Sequence, residues 1–204
     1  PAGQPRFAAL YGLNALVSVL SANNIIDVSS LRELRDCSAF LKKSCEEFIP
    51  TVAKEKNIAK QYAYECIGNS PVIYAGALFA AAYKWKISFN ENAKNIAWCN
   101  AYPESNHNEF LGWSSHPIDK PYAIIDLRSK LDNERVQKRF DLSAKLLSGK
   151  RPAPIIVDVI GDNRLQQLLW AVGLGDFVSL YTGLLNGLNP TPVDLIEKFK
   201  KELD

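Results

Sequence analysis

The stretch PVIYAGALFAAAYKWKISFNENAKNIAWCNAY, residues 71–102, decides the fold. Residues 71–74 run apolar and aromatic without alternation, the pattern of a strand buried on both faces. Residues 78–94 then take a helical pattern, and residues 96–102 return to an apolar run with aromatic members. Strand, helix, strand in this order is the repeating unit of a parallel sheet. The texture continues downstream, with strand patterns at residues 122–127 and 154–160 and helical patterns at 107–113, 131–147 and 164–185. Near-continuous apolar strands alternating with helices predict a three-layer, flavodoxin-like α/β domain whose parallel sheet is covered on both faces.

Working outward, residues 7–20 place Leu10, Leu13, Val17 and Leu20 at helical spacing just after a proline, which predicts a helical lead-in. Residues 30–65 also read as helical, interrupted at Pro50, with Thr51 a candidate cap for the helix that follows. A last amphipathic helix is expected over residues 192–203, with Thr191 as its N-cap and Pro192 in its first turn.

The chain has 204 residues, 47% hydrophobic and 23% charged, an ordinary balance for a globular domain with a core. A formal charge of +2 gives no electrostatic footprint for nucleic acid or a membrane surface. No run approaches the ~20 apolar residues needed to span a bilayer, and no signal-peptide core opens the chain. Cys37, Cys45, Cys66 and Cys99 form no C-x-x-C pair and no zinc-ligand spacing, so reduced thiols in a cytoplasmic protein are expected. The chain begins Pro-Ala-Gly-Gln-Pro and contains no Met, which reads as a fragment or a processed chain.

In open α/β sheets chemistry collects at the C-terminal ends of the strands. His107, in the segment leaving the second strand, falls on that edge and can transfer protons near neutral pH. The alternative is a polar helix start, with Asn106 as N-cap and Glu109 in the first turn. Glu91 sits between Asn90 and Asn92 at the end of the preceding helix, so it approaches from the opposite edge. A carboxylate held by amides and partly desolvated suits a general base, and a solvated helix-end glutamate is the plain alternative. His116 reads as a loop residue with no role. Two histidines without a cysteine or carboxylate set at ligand spacing point to no metal, and no cofactor is expected. Residues 83–86, Tyr-Lys-Trp-Lys, read as a solvated helix face and not a nucleic-acid patch. No G-x-S-x-G elbow, Walker loop or G-x-G-x-x-G fingerprint is present.

FNENAK at residues 89–94 followed by PESNHNEFLGW at 103–113 resembles the signature of the bifunctional phosphoglucose/phosphomannose isomerases of the sugar-isomerase (SIS) superfamily. The similarity extends to QPRFAAL at residues 4–10 and to GDFVSLYTGLLNGLNPTPVDLIEKFKKEL at 175–203. It implies an SIS-type domain over residues 29–204, preceded by an inter-domain segment and helix over 1–28. The family's first SIS domain, with its Ser/Thr-rich loop for the sugar phosphate, has no counterpart here; Ser114-Ser115 is the nearest such pair. The resemblance implies metal-free isomerisation of glucose 6-phosphate, and mannose 6-phosphate, to fructose 6-phosphate through a cis-enediolate. On it, Glu91 is the base that moves a proton between C1 and C2. His107 assists ring opening from the neighbouring subunit, Arg6 stabilises the enediolate charge, and Lys198 works at the ring oxygen. Thr191 lines the sugar pocket where ordinary phosphoglucose isomerases carry a glutamine. A homodimer with shared sites then reconciles Glu91 and His107 on opposite edges. Two other readings stand beside the enzyme: a non-catalytic sugar-phosphate-binding SIS module, and a dimerisation fragment.

Overall fold

The computed structural model describes residues 3–114 and 121–203, so His116 and Ser115 lie outside the described residues. The chain forms two compact units, Pro1–Glu46 and Glu47–Asp204. The first holds a short 3-10 turn, Pro5–Phe7, and two helices that pack together, α1 (Ala9–Ala22) and α2 (Ser29–Cys45). The Asp27 carboxylate accepts the Ser29 N–H at 2.7 Å and satisfies one of the free donors at the start of α2.

The second unit is the α/β domain. It begins with α3 (Ile58–Glu65), then runs β1 (Ser70–Ala75), α4 (Phe79–Asn92), β2 (Trp98–Ala101), two one-turn helices α5 (Glu104–His107) and α6 (Glu109–Gly112), and β3 (Tyr122–Arg128). It ends with α7 (Glu134–Leu146), β4 (Ile155–Asp158), α8 (Arg164–Leu185) and α9 (Asp194–Lys201). The strands form one parallel sheet in the order β2-β1-β3-β4. Val72, Tyr74 and Ile124 point to one face, where they pack with Tyr102, Trp113, Phe140 and Leu147. By strand alternation, the equally buried Ile73, Ile125 and Leu127 point to the other.

On that other face α4 packs against α8, and the sequence shows why the two approach closely. Gly175 lies against the Trp85 indole; a Cβ there would fall 2.4 Å from Cδ1 and Nε1. Trp85 Nε1 donates to the Ala171 carbonyl at 2.6 Å, and Lys84 pairs with Asp176 at 2.5 Å. Residues 83–86 are therefore no solvated face: Trp85 is in the core and Lys84 is tied to α8, while Tyr83 is exposed. By length and composition α8 could cross a membrane, contrary to the expectation that no segment would. Just over half of its apolar window, 56%, is buried inside the fold, as a core helix requires.

Helix starts differ from expectation at three places. Asn57, not Thr51, caps α3 by accepting the Lys60 N–H at 3.1 Å. Asn108, not Asn106, accepts from the Glu109 N–H at the start of α6. Helix α9 starts at Asp194 after Val193 with no side-chain cap, so Thr191 does not cap it. All four cysteines are free thiols, and burial pushes Cys66 up to about 12.

Candidate active site

Glu91 lies in the last turn of α4, half-buried, at the end of the sheet where β2 begins. The asparagines around it are occupied elsewhere. Asn90 donates to the Asn95 carbonyl at 2.8 Å, and Asn95 to the Asn69 carbonyl at 2.7 Å. Asn92, fully buried, donates to Ser179 on α8 at 2.9 Å. These amides anchor the end of α4 to the turn before β1 and to the core helix. They fix the backbone that carries Glu91.

Beside Glu91 is a cleft of about 410 Å³ between the end of α4 and the segment that leads into α9. Asn90, Glu91, Lys94, Asn95 and Ile96 line one side, and residues 192–196 the other. The volume is in the range that takes a small organic ligand. Thr191 stands next to this lining without being part of it, exposed, with its N–H donating to Asn189 Oδ1 at 3.0 Å. Lys198 is exposed in the second turn of α9, outside the lining. Arg6 belongs to the other compact unit; its Nη1 donates to Gln4 Oε1 at 3.3 Å and its guanidinium lies 5.3 Å from the Phe7 ring centre.

His107 is at the far end of the same strand. It closes α5, just past the C-terminal end of β2, with an exposed side chain. Its neighbours fix the turn: Asn106 donates to Ser143 Oγ at 2.9 Å and accepts from Arg139 at 3.1 Å, and Asn108 donates to Glu104 at 2.6 Å. Glu109 accepts from the Tyr74 hydroxyl and from Asn100, so it serves the core and not the surface. Within one chain β2 separates Glu91 from His107, and His107 is not in the lining of the cleft beside Glu91.

The sheet order reverses between β1 and β3, the crevice where open α/β sheets take ligands. Here the protein's own carboxylate fills it. Asp132, 6% exposed, accepts from the Ala77 N–H at 2.6 Å and from the Ser129 N–H at 3.2 Å. Gly76 makes room, since a Cβ there would lie 2.2 Å from Asp132 Oδ1. Sequence reading missed this residue because its partner across the crevice, Ala77, lies 55 residues away along the chain.

A second buried carboxylate lies on β3. Asp126 is fully buried, neither oxygen has a hydrogen-bond donor, and its nearest ion-pair partner is Arg128 at 3.8 Å. Burial raises its carboxyl to about 6, against the pull of Arg151 and Arg128. Arg151 is itself buried, with its guanidinium 5.2 Å from the Tyr74 ring centre and 5.6 Å from that of Trp113.

The family described as "Bacterial phospho-glucose isomerase C-terminal SIS domain" matches residues 55–203. Among curated proteins, the bifunctional phosphoglucose/phosphomannose isomerase of Aquifex aeolicus is 31% identical over 201 residues, covering 98% of this chain and 58% of that protein. The protein of the same name from Thermoplasma volcanium is 34% identical over 206 residues, covering all of this chain and 62% of its own length. The chain thus spans about three fifths of the length of these relatives. Among solved structures, a glucose-6-phosphate isomerase like protein from Thermus thermophilus superposes with a TM-score of 0.74 at 23% identity. That superposition covers 97% of this chain and 63% of the other, and it establishes the shared fold. With the parallel sheet, the cleft beside Glu91 and the match over residues 55–203, the chain belongs to the family of bacterial phospho-glucose isomerase C-terminal SIS domains.

Proposed function

We propose that this chain is the C-terminal part of an aldose–ketose isomerase that interconverts glucose 6-phosphate, and mannose 6-phosphate, with fructose 6-phosphate. The observation that carries the reading is Glu91 on the wall of a 410 Å³ cleft in a chain of this family. In the open-chain aldose the Glu91 carboxylate takes the proton from C2 and returns it to C1. The hydroxyl and carbonyl exchange places through an enediolate, so no atom is gained or lost. A developing oxyanion needs a fixed positive charge, the role given to Arg6, and ring opening needs proton transfer at the ring oxygen, given to Lys198 and His107. Thr191, small and beside the cleft, leaves room for the enediolate to turn about C2–C3, so that both C2 epimers can be served. The opposite placement of Glu91 and His107 along β2 supports a homodimer in which His107 serves the partner subunit's site. With Asp132 in its own switch-point crevice, this domain leaves the sugar phosphate to be held elsewhere, by a part of the enzyme beyond this chain. We place the enzyme in the cytoplasm, without metal or cofactor.

The test is an isomerase assay on this chain alone and on a protein of the relatives' full length that contains it. Fructose 6-phosphate formation by the longer protein, with little or none from the chain alone, is expected. A longer protein inactive on both aldose phosphates would overturn the reading.

A further inference from the structure

We propose that Lys94 is a positioning residue, a clamp that holds the segment leading into α9 across the Glu91 end of α4 and so sets the width of the cleft. The inference rests on the reading of that cleft as the isomerase site. Lys94 directly follows Ala93, the C-cap of α4, with φ of 52°. Left-handed backbone at this position is normally taken by glycine, because a Cβ there costs about 1 kcal/mol. A lysine kept where glycine is easier points to work done by its side chain.

That work is visible in its partners. The Lys94 ammonium donates to the Glu91 carbonyl at 2.5 Å, in the last helical turn, where the helix's own N–H donors run out. The same ammonium donates to the Pro190 carbonyl at 3.0 Å, 96 residues further along the chain. One cation therefore joins the residue that carries the proposed base to the start of the opposite wall. It also places positive charge at the C-terminal end of α4, where the helix dipole favours it. The segment it holds leads directly into α9, a helix exposed along its whole length. Lys198 rides on that helix, so the clamp governs how Glu91 and Lys198 meet a substrate.

Two variants separate the clamp from the turn. Lys94→Met keeps the stem and removes the ammonium; Lys94→Gly also relieves the left-handed backbone, so it folds at least as readily as the parent. Amide hydrogen exchange on this chain is read at residues 193–197, with β1 and β3 as internal controls. Both variants are expected to exchange about tenfold faster or more at 193–197, with β1 and β3 unchanged. In the full-length protein, kcat on glucose 6-phosphate should fall about ten- to a hundredfold, the scale of a misplaced base, with KM and the pH profile nearly unchanged. Parent-like exchange in both variants would overturn the clamp. So would a rise in KM at unchanged kcat, which would make Lys94 a substrate ligand. An inactive full-length parent would sink the isomerase reading alone, and the exchange data would still judge the clamp.

Discussion

Replacing Asp126 by Asn should change how stability depends on pH, by an amount set by the burial of that carboxylate. In the folded domain burial lifts the carboxyl from 3.8 to about 6, while in the unfolded chain it keeps its ordinary value. As pH rises from about 4, the unfolded state releases this proton first and is favoured; the loss of stability stops once the folded carboxyl also ionises, near pH 6. Two pKa units correspond to about 3 kcal/mol at most, lost between pH 4 and pH 6 and flat outside that window. The amide of the Asp126→Asn variant cannot titrate, so the stability difference between variant and parent should shift by up to about 3 kcal/mol in the variant's favour across the window. Its value at any single pH also includes the lost attraction of Asp126 to Arg151 and Arg128, although Arg128 keeps Asp141 at 2.7 Å. Urea unfolding at half-unit steps from pH 4 to pH 7 measures this, followed by tryptophan fluorescence. All four tryptophans lie in the Glu47–Asp204 unit, so the signal reports on the domain that holds Asp126. With a slope of about 2–3 kcal/mol per molar urea, the two midpoints should converge or separate by roughly 1 M over the window. Parallel midpoint curves for the two proteins would refute the reasoning.

Gly175→Ala drives a methyl into the Trp85 indole, which is fully buried and hydrogen-bonded to Ala171. Overpacking and a strained bond outweigh the gain of about 1 kcal/mol in helix propensity, so a net loss of about 1–3 kcal/mol is expected in denaturant titration. Stability equal to the parent would show that α4 and α8 have slack. In the full-length enzyme, Thr191→Gln should depress turnover of mannose 6-phosphate well below that of glucose 6-phosphate, because a long side chain fills the space in which the enediolate turns. Equal loss on both substrates would remove that role. Mixing inactive Glu91→Gln and His107→Ala full-length variants should restore part of the activity once subunits exchange, since one site of each heterodimer regains both residues. No recovery after verified exchange would place both residues in one subunit's site.

The central strands β1 and β3 were legible because burial on both faces leaves their sequences almost purely apolar, whereas the edge strands β2 and β4 are largely uncovered. Helix α8 was readable to its end residues because Asn163 opens it and Asn186 and Gly187 close it. The helix caps were less so. Thr51 and Thr191 are good capping types, but a cap is fixed by where the backbone turns into the helix, and α3 and α9 turn at Asn57 and Val193 instead. Strand β2 begins at Trp98 and not at Ile96, which is exposed on the cleft wall, where the apolar pattern carries no information about direction. The polar residues around Glu91 suggested a site; Asn90 and Asn95 line the cleft beside it, and their side chains donate to backbone carbonyls. Asn92 reaches Ser179 and Lys94 reaches Pro190, and neither pairing is visible in local sequence. Asp132 was hidden in the same way, as its acceptor role depends on Gly76 and Ala77. The roles proposed for Glu91, His107, Arg6, Lys198 and Thr191 came from family resemblance; the fold shows Glu91 on the wall of a cleft.

The most direct test of the central claim is proton movement at C1 and C2 of the sugar. Full-length protein is incubated with fructose 6-phosphate in deuterium oxide, and deuterium entering the hexose phosphates is followed by NMR. The parent is expected to exchange the C1 proton of fructose 6-phosphate and to label C2 of the aldose product. Glu91→Gln should still bind the sugar phosphate, while exchange and turnover fall together by about a thousandfold or more. Exchange by Glu91→Gln within about tenfold of the parent would contradict the account, because that is less than a lost general base costs.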